Sequence, residues 1–144
     1  ARNYALMERV FALGPDLLSA RHAHPGIGYQ RGYMPTRTEF GLRCGGDPDD
    51  KEVVAFGSYH NVDIPEVPGY RETSEAYYAS CQEIGFVLMD LLALHLDPSE
   101  RAYVRGLLRA HDGRRIDDSH MRHIRYPSTS RRMACAHTDS NLLS

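Results

Sequence analysis

Cysteine is scarce in this chain of 144 residues. Cys44, Cys81 and Cys135 are odd in number, far apart and form no C-x-x-C pair. That argues against a disulfide framework or a structural zinc site and fits a reducing compartment. No apolar run approaches the length of a membrane span, and no signal-peptide pattern precedes the first helix-like segment, so a cytoplasmic location is expected. An excess of one charge is also missing. Seventeen basic residues against nineteen acidic ones leave a net charge of −2, which gives no field favouring nucleic acid or an anionic membrane. The one basic cluster, Arg114, Arg115, Arg122, Arg125, Arg131 and Arg132, is interrupted by acids and reads as a local anion site. Internal repeats, low-complexity tracts and an inter-domain linker are absent as well.

What is present is an ordinary globular composition, 42% hydrophobic and 25% charged, in a chain long enough for one domain. Leu6, Val10, Phe11 and Leu13 recur at helical spacing up to Gly14-Pro15, and a second short helix is predicted over Asp16 to Arg21. Glycine and aromatic residues from His24 to Pro35 suit a loop leading into a short strand. After a polar turn cluster from Cys44 to Lys51, Glu52 to Phe56 reads as a strand, and Asn61 to Gly69 as extended coil.

The clearest helix is predicted from Tyr70 to Leu96. Its apolar stripe is Tyr77, Cys81, Ile84, Leu88, Leu91, Leu92 and His95, with His95 expected as a hydrogen-bonded core residue. At 1.5 Å per residue it would be about 39 Å long, a scaffold for a sheet. Asp97-Pro98-Ser99-Glu100 is a new helix start, with cap, proline at the first position and glutamate three residues on. Val104, Leu107 and Leu108 face inward until Asp112-Gly113. Met121 to Tyr126 and Met133 to His137 then read as two strands joined by the turn-forming stretch Pro127 to Arg132.

The second of these strands leads into chemistry. Residues two apart on a strand share a face, so His137 and Asp139 converge on one point. An imidazole and a carboxylate are two of the three ligands of the two-histidine, one-carboxylate facial triad. That set leaves positions on iron open for oxygen and cosubstrate. Taken alone the pair is common, and a surface or core-satisfied histidine is the more frequent reading of it.

The wider context is more specific. Arg122-His-Ile-Arg-Tyr126-Pro127, a turn, and Ala136-His137-Thr-Asp139-Ser-Asn-Leu-Leu resemble the core of the isopenicillin N synthase-like branch of the iron(II)/2-oxoglutarate oxygenases. Glu8 to Leu13, Gly28-Tyr29 to Pro35, Asp50-Lys-Glu52 with Phe56-Gly57, and Val67-Pro-Gly-Tyr70 follow in the family's order. The resemblance therefore covers nearly the whole chain, with only the H-x-D region individually diagnostic.

The resemblance implies an α+β fold built on a double-stranded β-helix, or jelly roll. The chain is expected as one domain, incomplete at both ends. Residues 1–113 would be a mainly helical flanking region and residues 114–144 the first strands of the core. It implies iron(II) on His137 and Asp139, 2-oxoglutarate as cosubstrate, and dioxygen and a small molecule as reactants, with hydroxylation, desaturation or cyclisation as the outcome. The family's second histidine ligand and its grip on the distal carboxylate of 2-oxoglutarate would lie beyond Ser144.

Tyr126 occupies a position that contacts cosubstrate or a substrate carboxylate, or else packs at the barrel mouth. Arg122 and Arg125 are expected to give one basic strand face that binds carboxylates, against solvent-exposed edge arginines. Ser140 and Asn141 would support the ligands, and Tyr29 and Tyr33 would line the substrate entrance or pack in the core. Two other readings stand beside this one. The chain could be an oxidase of the isopenicillin N synthase kind that uses no 2-oxoacid, or a non-catalytic helical interaction module.

Overall fold

The computed structural model describes residues 2–39, 48–58, 60–109 and 119–128. Within them the order is α1 (Arg2–Phe11), α2 (Pro15–His22), a short 3-10 turn (Pro25–Ile27), β1 (Gly32–Met34), β2 (Glu52–Gly57), α3 (Tyr70–Ala93), α4 (Pro98–Arg109) and β3 (His120–Arg125). Each predicted helix and strand inside these limits forms, with ends displaced by a few residues.

The local reasons are those the sequence announces. Gly14 turns the chain at φ 85 so that Pro15 opens α2, where its missing N–H costs nothing. At the start of α4, Asp97 Oδ1 accepts from the backbone N–H of Ser99 (2.9 Å) and Glu100 (3.0 Å), while Glu100 Oε2 accepts from the Asp97 N–H at 3.3 Å. The capping box read from the sequence is thus made on both sides. Arg101 then reaches back to the carbonyls of Ala93, Leu94 and Leu96. It satisfies acceptors that the end of α3 leaves open and locks the two helices into a corner.

The sheet has the order β1-β2-β3 and is antiparallel throughout. Register fixes its faces, because residues directly opposite each other share one. Tyr33 lies opposite Val54, which lies opposite His123; Phe56 lies opposite Met121, and Glu52 opposite Arg125. This set faces the helices. Phe56 meets Tyr70 at 6.3 Å and Tyr78 at 6.2 Å between ring centroids. Leu6, Val10 and Phe11 of α1, Leu18 of α2, and Ile64 and Val67 of the coil before α3 complete the core. Met34, Val53, Ala55, Arg122 and Ile124 point to the other face. Two of the three described strands come from before residue 113, so that region supplies strands to the described sheet as well as helices.

Two expectations about α3 are corrected. The helix ends at Ala93, and its predicted apolar stripe is not the buried one. Ile84 is 60% exposed and Leu91 and Leu92 each 53%, whereas Tyr70, Ser74, Met89 and Ala93 are buried. His95 is exposed rather than in the core. The N-terminal third of α3 reaches the sheet, through Tyr70, Tyr77 and Tyr78. Its far end is gripped by Arg101 across the corner, so the stripe between finds no partner among the described residues. Periodicity identified the helix, but the corner decided which face is covered. The second expected strand, Met133 to His137, lies outside the described residues.

Candidate functional site

Where β3 runs beside α1, a cleft of about 450 Å³ opens. Helix α1 contributes Asn3, Met7 and Phe11, α3 contributes Tyr77, and β3 contributes the consecutive residues from Met121 to Arg125. β3 is the outer strand of the described sheet, so the cleft follows its edge. Nothing in the helical or strand period of α1 and β3 reveals that they meet, because the pairing runs through β2 and spans most of the chain.

His123 sits at the junction. Its Nε2 is 2.6 Å from Asn3 Nδ2, its ring is 6.4 Å from that of Tyr77, and it hydrogen-bonds to the backbone of Val54. Burial pushes its pKa below the usual imidazole value, against the opposing pull of the Val54 hydrogen bond. The ring is therefore neutral near pH 7. Asn3 Nδ2 carries only donors, so in this neutral ring Nε2 is the accepting nitrogen. Asn3 is itself buried and its Oδ1 has no partner among the described residues.

A pH dependence follows. The folded-state pKa of His123 lies below the unfolded value near 6.5, so the unfolded chain binds the proton first. Stability is then full above about pH 6.5 and falls as pH drops toward the folded pKa. Urea midpoints measured from pH 7.5 to pH 5 should fall more steeply for the wild type than for His123→Gln. Parallel curves would remove this residue from the account.

Beside it lies a buried polar relay that ties all three strands. Tyr33 Oη donates to Glu52 Oε2 at 2.6 Å, and Arg125 Nε donates to Glu52 Oε1. The Arg125 guanidinium also stacks over Phe11, 4.8 Å from the ring centroid. Burial, and then the hydrogen bond to Glu52, raise the Tyr33 pKa far above the ordinary phenol value. Tyr33 is thus a core residue holding a carboxylate, the packing alternative of the two considered for it.

On the opposite face Arg122 donates to Glu39 at 2.6 Å. Lys51 bridges Glu39 (2.8 Å) and Asp49 (3.0 Å). Burial pushes the Glu39 carboxyl up, but the hydrogen bonds from Lys51 and Arg122 outweigh it and hold its pKa below the usual value. Burial likewise pulls Lys51 down, and its two carboxylate partners more than restore it.

The expectation of one basic strand face is therefore corrected. Arg122 and Arg125 are three apart, an odd interval on a strand of period two. They point to opposite faces, and each already holds a glutamate. Tyr126 follows β3 directly and is half-buried. Tyr29 sits in the turn after the 3-10 helix at φ 57 and does not line the cleft. His137, Asp139, Ser140 and Asn141 lie outside the described residues. Among the described residues no cluster of three histidine, cysteine, aspartate or glutamate side chains could hold a metal ion, and no helix is long and apolar enough to cross a membrane.

Asn3, Glu52 and His123 were missed from sequence. For Glu52 a signal existed: a charged residue opens a strand whose every other member is apolar or glycine. Comparison of the chain with protein-family models, with curated proteins and with solved structures found no match in any of the three.

Proposed function

We propose that this chain carries the metal-binding strand of a non-haem iron(II), 2-oxoglutarate-dependent oxygenase acting on a small molecule. The observation that carries the reading is the pair His137 and Asp139, two residues apart, after a strand followed directly by Tyr126-Pro127. An imidazole and a carboxylate on one strand face form a donor set suited to iron(II). The antiparallel pairing of β3 with β2 is consistent with a strand entering a jelly roll at this point. Iron(II) with 2-oxoglutarate and dioxygen supplies oxidation of a C–H bond, with succinate and carbon dioxide as coproducts.

The roles left to this chain are to hold the metal through the His137 imidazole and the Asp139 carboxylate, and to orient them from Ser140 and Asn141. Tyr126 would meet a carboxylate of cosubstrate or substrate. Arg122 and Arg125 are given no such role under this reading. Their charges are matched by Glu39 and Glu52, and they anchor β3, the strand that precedes the ligand pair in sequence.

The test is anaerobic iron(II) titration of the full protein. His137→Ala and Asp139→Ala should each weaken binding by more than about a hundredfold, beyond the loss expected from removing an outer-sphere support, while His123→Ala leaves it unchanged. Wild-type affinity in both ligand variants would sink the proposal. Succinate formed in step with product supports 2-oxoglutarate as cosubstrate. Turnover without succinate would favour the oxidase that uses no 2-oxoacid.

A further inference from the structure

Arg125 is fixed by contacts that leave its outer edge uncommitted. Its Nε is held by Glu52, whose side chain is 3% exposed, yet the Arg125 side chain is 41% exposed. Glu52 thus holds the Nε edge and Phe11 lies against the guanidinium plane, while the side chain as a whole stays partly open to solvent. Its two terminal nitrogens have no partner among the described residues, and Arg125 lines the cleft between α1 and β3.

A guanidinium already held by an ion pair and a ring stack loses little freedom on meeting a ligand. Its planar fork matches both oxygens of a carboxylate. The surroundings suit such a ligand: Met7, Phe11 and Met121 offer apolar surface, and Asn3 and the neutral His123 add polar groups without charge. The volume of about 450 Å³ lies in the range of small-molecule sites.

We propose that this cleft binds a small organic carboxylate with an apolar or aromatic body, its carboxylate on the outer edge of Arg125. The site lies on the helix side of the sheet and uses neither His137 nor Asp139, so it stands independently of the oxygenase reading. One group opposes it. Glu8 lines the same cleft and has no ion-pair partner among the described residues, so the rival ligand is an organic amine.

The probes are 3-phenylpropionate and phenethylamine, titrated into the full chain with EDTA present so that iron plays no part. The Arg125 Nε–H and His123 ring resonances report the location. 3-Phenylpropionate should shift both resonances saturably and bind more tightly than phenethylamine. Glu8→Gln, at an exposed residue with no ion-pair partner among the described residues, should tighten it about threefold. Arg125→Lys, which keeps a charge for Glu52 but loses the fork, should weaken it at least about tenfold. Preference for phenethylamine with weaker binding in Glu8→Gln, an unchanged dissociation constant in Arg125→Lys, or no saturable shift at Arg125 would each overturn the proposal.

Discussion

Replacing Glu52 by alanine is expected to cost about 3 kcal/mol of folding stability, read as a lower urea midpoint with little change in slope. The side chain is buried at the centre of the sheet, where one oxygen accepts from Tyr33 and the other from Arg125. Its removal leaves a buried phenol hydroxyl and half of an ion pair without partners. An unsatisfied buried group costs about 1–3 kcal/mol and a broken buried pair about 3–5. The lower end of that second range applies because the Arg125 side chain is partly exposed to water.

The same reasoning makes a sharper statement about the triple variant Glu52→Leu, Tyr33→Phe, Arg125→Met. Once all polar partners are gone no orphan remains, so the triple variant should be markedly more stable than Glu52→Ala alone. A triple variant no better than the single one would show that the relay matters through shape and not through satisfied charge.

Gly32→Ala should cost about 3 kcal/mol or more. Gly32 opens β1 at φ 77, and a Cβ there would stand 2.3 Å from the carbonyl oxygen of His22 and 3.0 Å from Val62 Cγ2. Left-handed backbone and overpacking each contribute about 1–3 kcal/mol. The oxygen has little room to retreat, because Ala23 is bridged to Tyr33 next door. Gly26→Ala is the matched control. A Cβ at Gly26 meets nothing within 4 Å, so the change should stay within about 0.5 kcal/mol. Equal midpoints for the two variants would refute the crowding argument.

How far the sequence could be read differs by element. Proline, glycine and the Asp97–Glu100 box announce helix starts through groups within one turn of each other, so α2 and α4 were legible. β2 was legible from its branched residues and closing glycine. α3 shows the limit: its longest apolar stripe was mistaken for its buried face. Hydrophobic spacing states which residues could be covered, and only the neighbouring elements settle which are. The cleft was illegible for the same reason, since Asn3 and His123 are 120 positions apart and meet only because β3 pairs with β2.

The arginine pair teaches the complementary lesson. Strand period alone was enough to separate Arg122 from Arg125, and the expected shared face overlooked it. What no period could supply was their partners, Glu39 for Arg122 and Glu52 for Arg125, on opposite faces of the sheet.

By itself the sequence determined the positions of the helices and strands, their caps, and the His137–Asp139 pair, all set by residues a few bonds apart. The tertiary structure decided which apolar face is buried, which arginine holds which glutamate, and that α1 closes a cleft against β3. The physical reason is range. Capping and strand alternation act between near neighbours, whereas burial and ion pairing depend on surfaces brought together by the whole fold.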